Sequence, residues 1–227
     1  MFLRLGERTY DLTTRSLVVA VLDARSPDLV GRARALAAAG ADLVELVHPV
    51  AGPEGTASGT DADRAAGAVR SVRPVVAVPV AVTLAAGSDP QVTAAAVAAG
   101  AVMVRWAAPA GGQPTGSAPR GPGDRGGAGR PGDRGGAGAV VVTGDRATAA
   151  AWAETIPGRV VLEVAAGQRP PAGGPALPWL VTVPAGEDGI APAALALSLG
   201  ARLVRTTDPL PARRVSDVVA AIAEAGR

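Results

Sequence analysis

The chain has 227 residues, 48% of them hydrophobic and only 2% aromatic, so one sizeable core fits and it must be built from Val, Leu and Ala. The formal charge is +2, yet the sequence pI is 10.2, because every one of the 22 basic residues is arginine and nothing titrates between the single histidine and the guanidinium groups except one tyrosine and the N-terminal amine. That pI is therefore no sign of nucleic acid, no basic and aromatic stripe supports such a partner, and the absence of cysteine excludes disulfides, thiolate metal sites and a cysteine nucleophile.

No run approaches the ~20 apolar residues of a membrane span. The opening MFLRLGERTYDLTTR has no apolar signal core, so no membrane association and a cytoplasmic location are expected. SLVVAVLD at 16–23 is a continuous apolar run of the buried parallel-strand kind. SPDLVGRARALAAAG follows as a helix, with Ser26 as its N-cap, Pro27 at its first position and Gly40 closing it. ADLVELV (41–47) reads as a strand, TDADRAAGAVRSV (60–72) as a helix and VVAVPVAV (75–82) as a strand. DPQVTAAAVAAG (89–100) is the next helix and AVMVRW (101–106) the fourth strand.

The alternation resumes with AVVVTG (139–144), a helix around RATAAAWAET, and RVVLEV (159–164). PWLVTV (178–183) leads to IAPAALALSLG (190–200), and ARLVRT (201–206) leads to a closing helix over ARRVSDVVAAIAEAG. Eight strands with at least seven helices in βα order predict an α/β fold, a single (β/α)8 TIM barrel, with a doubly wound sheet as the alternative. Three helices end in Ala-Gly or Leu-Gly followed at once by Ala and a strand, which predicts tight αβ connections.

Between the fourth and fifth strands the composition changes. PGDRGGAGR at 122–130 recurs as PGDRGGAGA at 131–139, within a stretch of Gly, Pro and charge that has no apolar residues to bury. Residues 111–138 hold four Arg against two Asp, the whole excess charge of the chain. The expectation is a disordered insertion at about 109–138, a slipped-repeat linker rather than an anion-binding tether.

LRLGERTYDLTTRSLVVAVLDARSPD, ALAAAGADLVEL, DPQVTAAAVAAGAVMV and LGARLVRTTD, in that order around the strands, resemble the dihydropteroate synthase (pterin-binding) family. The likeness covers most of the chain outside 107–138 and implies a (β/α)8 barrel of the folate pathway. Members of that family join a pterin pyrophosphate to p-aminobenzoate and expel pyrophosphate. Buried carboxylates and an asparagine read the donor-rich edge of the pterin.

The positions that the resemblance assigns to this chemistry are mostly altered here. The asparagine that ends the first strand falls on Asp23, a candidate Mg²⁺ ligand whose alternative role is a helix cap. In VHPVAGPE the family's glycine-rich stretch survives only at Pro53, and His48 lies there as a loop residue. The strand-three aspartate falls on Thr83, and the Asn-Asp pair of strand four on Arg105 and Trp106. Glu163 retains a carboxylate on strand six, and Gly167 one glycine of the following loop, whose lysine falls on Pro170. The Ser-Arg-Lys signature of strand seven falls on Pro184, Ala185 and Gly186, and the Arg-x-His pair of strand eight becomes Arg205 and Thr207, with Asp208 kept.

The resemblance thus implies a degenerate active site. The leading expectation is a barrel without synthase activity that keeps a rim pocket for a small anionic or pterin-like molecule, lined by Asp23, Arg105, Glu163 and Arg205. Its alternatives are a non-enzymatic partner subunit, in a homodimer or in a heterodimer with a synthase paralogue, an active synthase with unorthodox ligands, and a pterin-linked methyl-transfer protein. For Arg205 the competing role is a surface ion pair with Asp208, three residues on.

Overall fold

The computed structural model describes residues 1–48, 59–85, 90–107, 139–144, 146–156, 158–169 and 176–226. The insertion expected at about 109–138 lies outside them, as do Pro53 and Pro170. A two-stranded antiparallel hairpin, β1 (Phe2–Leu5) and β2 (Arg8–Asp11), precedes the barrel. Eight parallel strands follow: β3 (Leu17–Asp23), β4 (Leu43–Val47), β5 (Val80–Ala85), β6 (Met103–Ala107), β7 (Val140–Thr143), β8 (Val160–Val164), β9 (Trp179–Thr182) and β10 (Leu203–Thr206). They pair in chain order and close through β10 against β3, where Leu203 stands beside Leu17. The doubly wound alternative is excluded by that closure.

Six α-helices lie among the described residues: α1 (Leu29–Ala38), α2 (Gly59–Val72), α3 (Pro90–Ala98), α4 (Arg146–Thr155), α5 (Ile190–Ser198) and α6 (Pro209–Ala225). The count of at least seven is thus not reached there. The first helix also starts later than its sequence signals indicate. Asp28, not Ser26, caps α1, its carboxylate accepting from the Gly31 N–H, while the Ser26 hydroxyl accepts from Arg32. The third strand is shifted as well: Arg73–Val75 form a 3₁₀ turn and β5 begins only after Pro79. A proline has no N–H to donate to a ladder, so a central strand starts beyond it.

The three Gly-Ala junctions close the helices as their sequence predicts. Gly40, Gly100 and Gly200 have φ of 96°, 107° and 105°. Each following alanine N–H reaches back five residues, Ala41 to Leu36, Ala101 to Ala96 and Ala201 to Ala196. This is the Schellman arrangement, in which a left-handed glycine lets the chain turn directly into the next strand.

Strand alternation sorts the core into two shells. Val18, Val44, Val82, Val104, Leu162, Val181 and Val204 point outward and pack under the helices. Leu17, Val19, Leu43, Ala81, Met103, Val140, Val142, Val161, Leu180 and Leu203 point inward and fill the barrel. Leu3, Leu5 and Leu12 of the N-terminal hairpin join this inner cluster and plug its lower end. Just above, Asp42 ties the lower rim together, accepting from the Val18 N–H at 2.9 Å and from Arg213 at 2.7 Å, and also from Arg15.

Candidate functional site at the barrel mouth

The inward phase that carries leucine and valine low in the barrel carries polar side chains one step higher. Two residues beyond Leu43, Ala81, Met103, Val161, Leu180 and Leu203 stand Glu45, Thr83, Arg105, Glu163, Thr182 and Arg205. In a parallel barrel this upper layer lies below the C-terminal rim, where ligands bind. The strands, being rigid, set these side chains toward one another.

Two ion pairs dominate the layer. Arg105 grips Glu163 with two parallel hydrogen bonds, Nε to Oε2 at 2.9 Å and Nη2 to Oε1 at 2.7 Å. The Thr182 hydroxyl adds a third donor to Glu163 Oε1 at 3.3 Å. Arg205 donates from Nε to Glu45 Oε2 at 2.8 Å, and the Thr83 hydroxyl donates to the other oxygen of that carboxylate. Glu45 is completely buried and Arg205 is 13% exposed. Desolvation alone lowers the pKa of Arg105, but the hydrogen bonds and charge of Glu163, with the charge of Glu45, outweigh it and raise the pKa above the ordinary arginine value. The influence of Glu45 on Arg105 makes the four residues one charge-neutral group of two cations and two anions.

Arg105, Glu163 and Arg205 are therefore brought together, and Asp23 is not bonded to them. Asp23 ends β3 exposed, its Oδ1 accepting from the Arg25 N–H at 2.8 Å, and so serves the turn above the strand. No group of three His, Asp or Glu able to hold a metal occurs among the described residues, so Asp23 finds no co-ligands there for Mg²⁺. Arg205 does not pair with Asp208. Its partner is Glu45, because the inward phase of β10 turns the guanidinium into the barrel, while Asp208 takes the N-cap position of α6. Trp106 points the other way from Arg105 and packs against Trp152 of α4, ring centroids 5.9 Å apart.

Sequence reasoning missed Glu45. Its signal was present: a lone carboxylate in ADLVELV, two residues from Leu43 and so on the same face of the strand. His48 lies just past β4, its N–H donating to the Thr83 carbonyl at 3.1 Å. Its Nε2 is shielded and meets no hydrogen-bond partner among the described residues. Burial lowers its pKa, and the charge of Arg25 lowers it further against the opposing pull of Asp23 and Asp61.

No family model matches the chain by sequence, and no curated protein does. Solved structures match over almost its whole length. The dihydropteroate synthase of Burkholderia cenocepacia, complexed with 7,8-dihydropteroate, superposes with a TM-score of 0.66 at 19% identity, covering 100% of this chain and 98% of its own. The fold is that of the dihydropteroate synthases. The Yersinia pestis dihydropteroate synthase with a pterine-sulfa conjugate gives 0.64 at 17% identity over 99% of this chain and 100% of its own. The Thermus thermophilus dihydropteroate synthase, in complex with 4-aminobenzoate, gives 0.63 at 19% identity over 98% and 100%. On this dihydropteroate synthase fold Thr83, Arg105 and Glu163 all face the barrel interior, and no helix of the described residues is long and apolar enough to cross a membrane.

Proposed function

We propose that this chain is a dihydropteroate synthase-like barrel without synthase chemistry that holds a small anionic ligand at its mouth. The observation that carries this reading is the way Arg205 is bound. Glu45 engages its Nε alone, and the two terminal nitrogens make no hydrogen bond among the described residues. Nη1 of Arg105 is likewise uncommitted. Guanidinium edges of this kind suit phosphate or carboxylate oxygens. Glu45 and Glu163 cancel the net charge, so the expected affinity is modest and set by geometry rather than by a strong field.

Glu163, assigned by the resemblance to the reading of a pterin edge, already has both oxygens on Arg105. A donor-rich ring would have to displace a bidentate guanidinium and would then face its unpaired charge. The chain also contains no lysine to serve the second substrate as the family's strand-seven lysine does. Losing one transition-state contact lowers rate by about 10²–10³, and several are changed together.

Pyrophosphate at millimolar concentration should raise the melting temperature and give measurable heat of binding. Arg205→Ala should abolish the ligand-induced increment, and Arg205→Lys should keep part of it. No increment in the unaltered chain would overturn the anion assignment. Dihydropteroate formation within about tenfold of an authentic synthase would overturn the other half of the reading.

A further inference from the structure

The base of the barrel holds a second cluster of polar groups, remote from the mouth. Each of the three Gly-Ala junctions is followed by one residue at the foot of a strand: Asp42, Val102 and Arg202. Asp42 is matched by Arg15 and Arg213, and Val102 carries no charge. Arg202 is half-buried, and its guanidinium has neither a hydrogen bond nor an ion pair among the described residues. A cation held partly out of water in this way calls for a counter-charge. Arg202 lines a recess of about 230 Å³ between the β2–β3 loop, the end of α5 and α6. Arg15 lines it too, with Nη2 on Asp42 and its other nitrogens uncommitted among the described residues. Leu197 of α5, with Val219, Ala220 and Ala223 of α6, makes one wall apolar. Hydroxyls complete the lining, and each directs its proton elsewhere: Thr13 to Asp11 Oδ1 at 2.6 Å, Ser16 to the Ala201 carbonyl at 3.4 Å, Ser198 to the Leu195 carbonyl at 2.8 Å. Their lone pairs are left as acceptors.

We infer that this recess binds a short polyol phosphate. The guanidinium groups of Arg15 and Arg202 take the phosphate, whose three terminal oxygens serve two arginines more completely than the two of a carboxylate. Hydroxyls of the ligand donate to the lone pairs of Thr13, Ser16 and Ser198, and its carbon chain lies against Leu197, Val219 and Ala220. The negative end of α5 does not oppose the anion strongly, because the N–H groups of Leu199, Gly200 and Ala201 close its last carbonyls. Beyond Thr13, the Asp11 carboxylate is occupied by the Thr13 N–H and hydroxyl and lies 3.9 Å from the N-terminal amine. The recess has room for about eight water molecules, which suits glycerol phosphate and is too little for a nucleotide. None of these residues belongs to the layer that holds Arg105 and Arg205.

Titration of the ¹⁵N-labelled full chain with sn-glycerol 3-phosphate, followed by amide NMR, tests this directly. Saturable shifts at residues 13–16 and 198–202 are expected, with a dissociation constant on the order of 1 mM. Inorganic phosphate and glycerol, each lacking half of the recognised groups, should bind about tenfold more weakly. Arg202→Ala should weaken binding on the order of tenfold or more, and Arg202→Lys should recover part of the loss. Ala223→Phe should close the recess to the ligand. Both positions can change without breaking a bond of the fold, since the Arg202 guanidinium holds none among the described residues and Ala223 is exposed, so the variants should keep the parent's cooperative melt. The inference is overturned by the absence of saturable shifts, by shifts confined to amides around Arg105 and Arg205, by inorganic phosphate binding as tightly as the polyol phosphate, or by Arg202→Ala and Ala223→Phe binding like the parent. The readout is local to the base, so the anion assignment at the mouth stands or falls separately.

Discussion

At the scale of single residues, the pair Glu45–Arg205 carries the largest energetic consequence. The Glu45 carboxylate has no exposure, and Arg205 and Thr83 both donate to it. Arg205→Met should therefore destabilise the protein by about 3–5 kcal/mol, the cost of leaving a buried charge without its partner. Adding Glu45→Gln should recover most of that loss. Urea unfolding of the two single variants and the double variant measures it, and a double variant as unstable as Arg205→Met alone would place the cost elsewhere. His48 adds a dependence on pH. Its folded pKa is lowered first by burial, so it is neutral in both states above the unfolded value of about 6.5. As pH falls through that value, the unfolded chain binds a proton that the folded chain resists. Stability is lost until the lower folded pKa is passed, then levels off. His48→Gln should flatten the urea midpoint between about pH 8 and pH 5, and an unchanged slope would mean that another group sets it.

At the scale of elements, what the chain's pattern reveals depends on how local the cause is. The Gly-Ala junctions at 40, 100 and 200 are decided by one residue's freedom to take positive φ, and they are legible in three letters. Continuous Val/Leu runs likewise announce buried parallel strands. The start of β5 is less legible, because VVAVPVAV reads as a strand throughout and only the ladder shows that Pro79 bars its first half. The cap of α1 shifts for a similar reason: Ser26 and Asp28 are both good caps, and the Gly31 N–H selects between them. The site was legible in its cations and in Glu163, since polar residues at strand ends stand out. Glu45 was not, because its significance lies in a partner 160 positions away that no local pattern announces. Neither was the hairpin over Phe2–Asp11, whose Leu3, Leu5 and Leu12 gain their role by plugging a barrel assembled from the rest of the chain.

At the scale of the molecule, closure of the barrel ties the remote parts together. β6 and β7 pair directly, Met103 beside Val140 and Arg105 beside Val142, although 32 residues separate Ala107 from Val140. Their hydrogen bonds and the inward packing of Met103, Val140 and Val142 belong to the barrel alone. Deleting residues 111–137 should thus leave the melting temperature nearly unchanged in a thermal scan, and a clear drop would show that the barrel draws stability from that stretch. The same pairing has a consequence for the length of chain between the two strands. Residues 122–130 and 131–139 are near-duplicates in tandem, so a change of one copy would add or remove nine residues. The entropy of closing a flexible segment between two fixed ends grows only with the logarithm of its length, about 0.6 kcal/mol per doubling. Were the stretch between β6 and β7 such a segment, gain or loss of one copy would change far less than that. Chains engineered with one copy more or one copy fewer should therefore melt as the parent does in a thermal scan.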